Sequence, residues 1–219
     1  MALKAYFLPQ ARSISTSVSK RSLITNAVHA LSSSGKRDLL TPWNRLLKFF
    51  DSLPAHLVPD FNIVAVDCVA PEQNRLKIYV RTPVVSLSNV KRFLCMDDTS
   101  LDISFKYRRA LEHIRLLWYL LFPNAFRSGD EETQLYAQDP QHLTSGLLFY
   151  YELRDRTSTA VPKVYIPVRH LCNSDAHIAQ ALQLFYNITG NSQFGRKYAK
   201  NVEDVLYVTK INFEDVSIY

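Results

Sequence analysis

The sequence is poor in glycine and cysteine, and it has no long apolar run. Five glycines in 219 residues leave no glycine-rich loop of the kind that cradles a phosphate group. The three cysteines, Cys68, Cys95 and Cys172, are widely spaced and odd in number, which favours a reducing compartment over a disulfide framework. No apolar stretch reaches the roughly 20 residues that a membrane span requires. We therefore expect a soluble, cytoplasmic protein.

The composition is that of a globular protein with a modest excess of positive charge. At this length, and with 47% hydrophobic residues, the chain can bury a substantial core, and we expect a single domain spanning residues 1–219. Lysine and arginine number 26 against 20 acidic residues. This excess fits phosphorylated ligands, nucleic acid or an acidic surface equally well.

Two interpretations compete for the N-terminal segment. Residues 1–37 contain six basic residues and no acid, as mitochondrial presequences do. Alternatively, residues 3–8 form the first strand and residues 19–31 form a helix with apolar side chains at helical spacing. The second interpretation is favoured because residues 4–9 share a sequence pattern with later strands.

That pattern is Lys-x-Tyr followed by proline, and it occurs three times, at residues 4–9 (KAYFLP), 77–83 (KIYVRTP) and 163–167 (KVYIP). Around the middle copy, basic and tyrosine residues alternate with apolar ones, which is typical of a strand with two unlike faces. If the three strands belong to one sheet, their lysines and tyrosines line one surface. Such a surface would attract an anion.

The remaining elements are predicted from apolar periodicity and from turn and capping residues. A helix is predicted to begin with Thr41 as N-cap and Pro42 at the first helical position. Ser86 is predicted to cap a short helix. The other predictions, in chain order, are a hairpin over 61–69 and 75–82, a helix over 105–122, a hairpin over 146–154 and 162–168, a helix over 174–187 and a last hairpin over 203–210 and 213–219.

Repeated helix-strand-strand-helix units predict an α+β fold. Antiparallel hairpins of this kind can curl into a β-barrel of αββα repeats, with the helices outside and the lysine and tyrosine faces inside. The alternative is an open sheet that has helices on one side and these polar side chains in water.

The three copies, with Arg75-Leu76 before the second and Val168-Arg169-His170 after the third, resemble the fungal aromatic prenyltransferases of the dimethylallyl-tryptophan-synthase type. The resemblance implies the ABBA barrel, a ring of about ten antiparallel strands inside a ring of helices. It covers the C-terminal half of that family's chain or slightly more, so the barrel is expected to be incomplete.

The resemblance also implies a function, which is transfer of a dimethylallyl group from dimethylallyl diphosphate to an indole or another aromatic metabolite. Basic residues at these positions bind the diphosphate in the family, and tyrosines shield the allylic cation. Carried over by motif, the diphosphate-binding residues are Lys4, Arg75, Lys77 and Lys163. The cation-shielding residues are Tyr6, Tyr79, Tyr165 and Tyr207.

Some parts of the expected site are missing or unassigned. The family's general-base glutamate lies in the half that has no counterpart here, so no catalytic residue is assigned. No metal or other cofactor is expected, because the acidic segment 97–102 has the wrong spacing for a magnesium motif and is better interpreted as a solvated helix boundary.

Two alternative functions remain. The chain is either a partial, inactive family member that keeps at most donor binding and associates through open barrel edges, or a basic nucleic-acid-binding module. No motif supports nucleic acid or membrane as a partner.

Overall fold

The computed structural model describes residues 3–34, 37–70, 74–96 and 105–208. Its centre is one five-stranded sheet in which each strand pairs antiparallel with the next along the chain. The strands are β1 (Lys4–Phe7), β2 (Asp60–Asp67), β3 (Leu76–Thr82), β4 (Leu147–Leu153) and β5 (Val161–Tyr165). The predicted hairpins at β2–β3 and β4–β5 are both confirmed.

Nine α-helices lie within the described residues. They are α1 (Pro9–Thr16), α2 (Lys20–Ser34), α3 (Leu40–Ser52), α4 (Leu87–Cys95), α5 (Phe105–Leu121), α6 (Pro123–Ser128), α7 (Val168–Leu171), α8 (Asp175–Ile188) and α9 (Ser192–Val208). Helices precede and follow each hairpin, as the αββα repeat predicts. None of these helices is both long and apolar enough to cross a membrane.

The register of the sheet is continuous except for one bulge in β2. Phe61 pairs with Val80 and Ile63 with Tyr79, so Asn62 is an extra residue between them. The bulge turns Phe61 towards the same face as Val80. Without it, Phe61 and Ile63 would lie on one face, because side chains alternate along a strand.

One face of the sheet is apolar and is covered by aromatic side chains from α3 and α4. Phe50 of α3 makes edge contacts with Phe61 and with Tyr151, at centroid distances of 5.7 and 5.6 Å. Phe93 of α4 stacks on Phe149 at 4.7 Å. Each fully buried side chain of this size contributes roughly 1.5–3 kcal/mol, so this cluster is a principal source of the stability of the sheet.

The start of α3 differs from the prediction. Asp38, not Thr41, supplies the capping group: its carboxylate accepts hydrogen bonds from the Thr41 backbone N–H at 3.1 Å and from the Thr41 hydroxyl at 2.7 Å. The hydrogen bonds from Thr41 hold the pKa of Asp38 below its usual value. Thr41 therefore lies inside the helix, whereas Ser86 accepts from the Asn89 N–H as predicted.

The chain divides into two compact units. The first contains Met1–Val84, Arg92–Asp97 and Gly146–Ile166, and it includes the whole sheet. The second contains Val85–Lys91, Asp98–Ser145 and Pro167–Tyr219. The single domain over residues 1–219 stays a prediction.

The second unit is built on contacts of α8 with α5 and α9. A side-chain nitrogen of His177 lies 2.9 Å from the Leu121 carbonyl oxygen, and His113 meets Phe185 edge-on. Gly195 permits the close approach of α9, because a Cβ there would lie 3.0 Å from the Gln183 carbonyl oxygen.

The predicted last hairpin is wrong where the structure describes it. Residues 203–208 are the end of α9, and 213–219 lie outside the described residues. The apolar run at 205–208 suits a buried strand as well as a helix, so its composition could not decide. The helix α9, of which these residues form the end, contacts α8.

Candidate functional site

The second face of the sheet, here called the polar face, carries all three Lys-x-Tyr pairs. Directly opposed residues in an antiparallel sheet share a face, so the strand register determines its members. Its polar members are Lys4, Tyr6, Asp60, Asp67, Lys77, Tyr79, Arg81, Tyr150, Glu152, Lys163 and Tyr165. The lysines and tyrosines of three strands that are far apart in sequence therefore lie on one surface.

Four ion pairs connect the basic and acidic residues at one end of the polar face. Asp67 accepts from Arg75 Nε at 2.7 Å and from Lys77 Nζ at 3.0 Å. Glu152 lies 2.5 Å from Arg154 Nε and 3.5 Å from Arg75. Asp67 and Lys77 are only 3% and 6% exposed, so their charges interact in an environment that screens them poorly.

This network shifts the pKa values of Asp67 and Arg75. Burial alone would raise the pKa of Asp67, but the hydrogen bonds from Lys77 and Arg75 outweigh it and hold that pKa below its usual value. The hydrogen bond to Asp67, with the nearby charge of Glu152, raises the pKa of Arg75. Both residues are therefore fully charged at neutral pH.

Three tyrosine rings form a cluster across β3, β4 and β5. The centroids of Tyr79 and Tyr150 are 5.2 Å apart, and those of Tyr150 and Tyr165 are 6.1 Å apart. Lys163 Nζ lies 5.1 Å from the ring of Tyr165 and 5.8 Å from that of Tyr150. The faces of such rings are negative, so the cluster already accommodates one cation.

The hydroxyl of Tyr79 is a poor acid in this setting. Burial, with the nearby hydroxyls of Tyr165, Tyr6 and Tyr150, raises the pKa of Tyr79 to about 12. The phenol therefore stays protonated near neutral pH. A protonated phenol is a weak nucleophile, and its ring remains available to stabilise positive charge.

Arg81 lies at the other end of the polar face. Its guanidinium donates to the Gly146 carbonyl oxygen at 3.4 Å, and burial lowers its pKa, although arginine stays charged at any accessible pH. Glycine at position 146 permits the close approach of the backbone before β4 to the backbone at the end of β3. It has φ +83°, and a Cβ there would lie 2.5 Å from the Thr82 carbonyl oxygen.

Apart from Tyr79, which lies in the tyrosine cluster described above, the predicted site residues fall into three groups. Arg75 and Lys77 are ion-paired, whereas Lys4, Tyr6, Lys163 and Tyr165 are exposed along the two outer strands. Tyr207 was expected on a strand of the last hairpin, but it lies on helix α9 in the second unit, and its side chain is outside the described residues.

Sequence reasoning missed Tyr150 and Asp67, and it placed Glu152 on a strand but expected it at the surface, whereas Glu152 is only 5% exposed. Each is on a partner strand opposite or diagonal to a Lys-x-Tyr residue: Tyr150 pairs with both Tyr79 and Lys163, and Glu152 pairs with Lys77. The predicted β4–β5 hairpin contained the signal for one of these pairs, Tyr150 with Lys163, because the turn fixes its register. The pairs of Tyr79 with Tyr150 and of Lys77 with Glu152 join β3 to β4, which no turn connects, so the sequence held no local signal for them. In β2, Asp67 stands out as an acid in a strand rich in β-branched residues.

No cluster of three or more histidine, cysteine, aspartate or glutamate side chains that would suit a metal ion occurs in the described part of the chain. The acidic segment 97–102, considered above for magnesium, lies outside the described residues.

The model of the tryptophan dimethylallyltransferase family matches residues 1–201. Among relatives, 7-dimethylallyltryptophan synthase of Aspergillus fumigatus is 38% identical over 145 residues, which cover 65% of this chain and 29% of that protein. The 4-O-dimethylallyl-L-tyrosine synthase of Claviceps purpurea is 30% identical over 185 residues, 84% of this chain and 40% of that protein.

The fold agrees with this assignment. The crystal structure of the prenyltransferase NotF in complex with brevianamide F and DMSPP superposes with a TM-score of 0.76 at 18% identity, and the match covers 99% of this chain and 49% of that one. The open five-stranded sheet is thus part of an ABBA prenyltransferase fold, as expected. The chain spans less than half the length of each of these three proteins. Because the family model matches residues 1–201, this chain belongs to the tryptophan dimethylallyltransferase family.

Proposed function

We propose that the chain provides the donor-binding part of an aromatic prenyltransferase, which transfers a dimethylallyl group from dimethylallyl diphosphate to an indole or another aromatic ring. The observation that carries this proposal is the polar face, where cations and tyrosine rings from separate strands meet. The name of each relative supports the dimethylallyl group, and the ligands of NotF support a diphosphate donor and an aromatic acceptor.

The basic residues Lys4, Arg75, Lys77 and Lys163 would bind the diphosphate. When the bond between the allylic carbon and oxygen breaks, both electrons leave with the diphosphate, and the cations stabilise the charge that develops there. Arginine and lysine suit this role because they form charge-assisted hydrogen bonds to phosphate oxygens.

The tyrosines Tyr6, Tyr79 and Tyr165, joined by Tyr150, would shield the allylic cation. Their rings present negative faces to it and exclude water, which would otherwise trap it. The aromatic acceptor then forms a new bond to the allylic carbon and loses a proton. No residue is assigned as the base that receives this proton.

The test is to incubate the purified chain with labelled dimethylallyl diphosphate and a panel of tryptophan, tyrosine, tryptophan-containing cyclic dipeptides and indole diterpenes. We expect a prenylated product with at least one of them. The variant Lys77→Met, which keeps the length of the side chain and removes its charge, should abolish the product. The matched control is Lys48→Met on the exposed surface of α3, which should not.

A second candidate is donor binding without transfer. It is favoured by the ion pairs of two acids on the polar face, Asp67 and Glu152, each of which lies within 3.5 Å of two basic groups. Ion pairs hold both carboxylates, and neither is assigned as the base of the transfer. Binding of pyrophosphate that depends on Lys77, without product from any acceptor, would select this candidate.

A further inference from the structure

The most unusual group on the polar face is the carboxylate of Asp67. It is 3% exposed, and its two oxygens are used separately, one by Arg75 Nε at 2.7 Å and the other by Lys77 Nζ at 3.0 Å. These are two of the four cations assigned above to the diphosphate. A single buried anion therefore already occupies hydrogen-bonding positions that a phosphate oxygen would use.

The contacts of Asp67 determine the geometry of both cations. Arg75 is further restrained by Glu152, 3.5 Å from its guanidinium, while Glu152 is itself paired with Arg154. Long basic side chains lose considerable rotational freedom when they are fixed. The two acids thus hold Arg75 and Lys77 in place before any ligand arrives.

The same acids oppose the binding of a second anion. Arg75, Lys77 and Arg154 share their charge with Asp67 and Glu152, which leaves this cluster with one net positive charge. A diphosphate beside Lys77 and Arg75 would lie within a few ångströms of the Asp67 carboxylate. Repulsion between such charges is strong where water is excluded.

We propose that Asp67 is an internal counter-anion of the diphosphate site, which positions Arg75 and Lys77 in the empty protein and weakens the binding of diphosphate. Without the negative charge of Asp67, the diphosphate would bind so tightly that its release would be slow. The proposal rests on the function proposed above. Its consequence is that the site exchanges one anion for another during binding, and that Asp67 favours release of the diphosphate after the donor is cleaved.

The decisive variant is Asp67→Asn, which keeps the shape and hydrogen-bonding oxygen of the side chain and removes its charge. Inorganic pyrophosphate should bind about tenfold more tightly to this variant than to the wild type, as measured by calorimetry, which corresponds to about 1.4 kcal/mol. Binding should also weaken more steeply with added salt, because the site carries more positive charge.

Asp51→Asn is the matched control. Asp51 is also held by an arginine, Arg21, at 2.5 and 2.8 Å, but on the helices α2 and α3 rather than on the polar face. Its pyrophosphate affinity should equal that of the wild type. Because loss of Asp67 leaves Lys77 without its buried partner, the empty Asp67→Asn protein should also be less stable, and pyrophosphate should raise its melting temperature more than that of the wild type.

A double variant separates a local electrostatic effect from a general structural one. In a Lys77→Met background the tightening caused by Asp67→Asn should shrink, since the two changes act through one contact. If Asp67→Asn does not fold, Glu152→Gln serves as the second variant. It should tighten pyrophosphate binding less, because its contact with Arg75 is longer.

The outcomes separate the two proposals. If the wild type binds pyrophosphate through Lys77 and Asp67→Asn binds it equally or more weakly, the counter-anion role is overturned and the proposed function stands. If neither the wild type nor Asp67→Asn binds, both are overturned. If Asp67→Asn binds pyrophosphate more tightly than the wild type, or binds it when the wild type does not, the counter-anion role is supported.

Discussion

Tyr150 and Tyr151 are neighbours on β4, yet they lie on opposite faces of the sheet and in different environments. The Tyr151 ring is fully buried against Phe50, and its hydroxyl donates to the Phe93 carbonyl oxygen at 2.8 Å. Tyr150 is half-buried between Tyr79 and Lys163. The residue type is the same, so its role depends on the face on which it lies.

The two faces also differ in what they contribute to stability. The apolar face removes aromatic surface from water, which is the largest favourable term in folding. The polar face keeps Asp67 and Lys77 away from water, and such pairs rarely stabilise a protein more than apolar residues of the same size would. The ion pairs of the polar face are therefore better explained by ligand binding than by stability.

The largest expected effect is on the apolar face. Phe149→Ala removes a ring that is fully buried and stacked on Phe93, and it should lower the free energy of unfolding by about 3–5 kcal/mol. Tyr150→Ala, one residue along the same strand, should cost roughly 1 kcal/mol. Urea unfolding of both variants measures the difference. Equal losses would mean that the two faces contribute equally to the free energy of unfolding.

A large effect on binding is expected on the polar face. Lys77→Met should weaken the binding of inorganic pyrophosphate about 100-fold, or about 2.7 kcal/mol, because it removes a nearly buried charge from the site. Calorimetry at constant salt is the measurement. Lys48→Met on α3 is the control, and a loss of the same size in that variant would show that affinity follows total charge rather than the polar face.

A smaller effect separates the two tyrosines themselves. Tyr151→Phe removes the donor to the Phe93 carbonyl oxygen and should cost about 1–2 kcal/mol of unfolding free energy. Tyr150→Phe keeps its ring and should change stability by less than about 0.5 kcal/mol. Pyrophosphate binding should be unchanged in Tyr151→Phe. A stability loss in Tyr150→Phe as large as that in Tyr151→Phe would contradict the comparison.

The division into faces was predictable because it follows from local patterns. Alternation along residues 75–82 predicted both faces of β3, and the two hairpins followed from turn residues between apolar runs. The three Lys-x-Tyr pairs led to the family and to the candidate cations. All of these signals lie within a few residues of one another in the sequence.

What could not be predicted depends on contacts between distant segments. The pairing of Asp67 with Arg75 and Lys77 follows from the strand register, and the burial of that pair follows from the fold. The helical state of residues 203–208 could not be predicted from their composition, since an apolar run of that length suits either conformation. Asp38 and Thr41 are both residue types that cap helices well. Because α3 begins at Leu40, Thr41 lies inside the helix and its backbone N–H donates to Asp38.

The smallest expected effect is the pH dependence of the stability that Asp67 contributes to the polar face. The hydrogen bonds from Lys77 and Arg75 outweigh burial, so the pKa of Asp67 is lower in the folded protein than in the unfolded chain, where it is about 3.9. The stability that this carboxylate contributes is fully present above the unfolded pKa and is lost as the pH falls through the folded pKa. The difference in unfolding free energy between wild type and Asp67→Asn should therefore be constant from about pH 7 to pH 5 and shrink below about pH 4. Urea unfolding at a series of pH values measures it, with Tyr150→Phe as a control whose difference from the wild type should not depend on pH. A difference that grows as the pH falls would show that burial dominates at Asp67, and the polar face would then lack the charged anion on which its ion pairs depend.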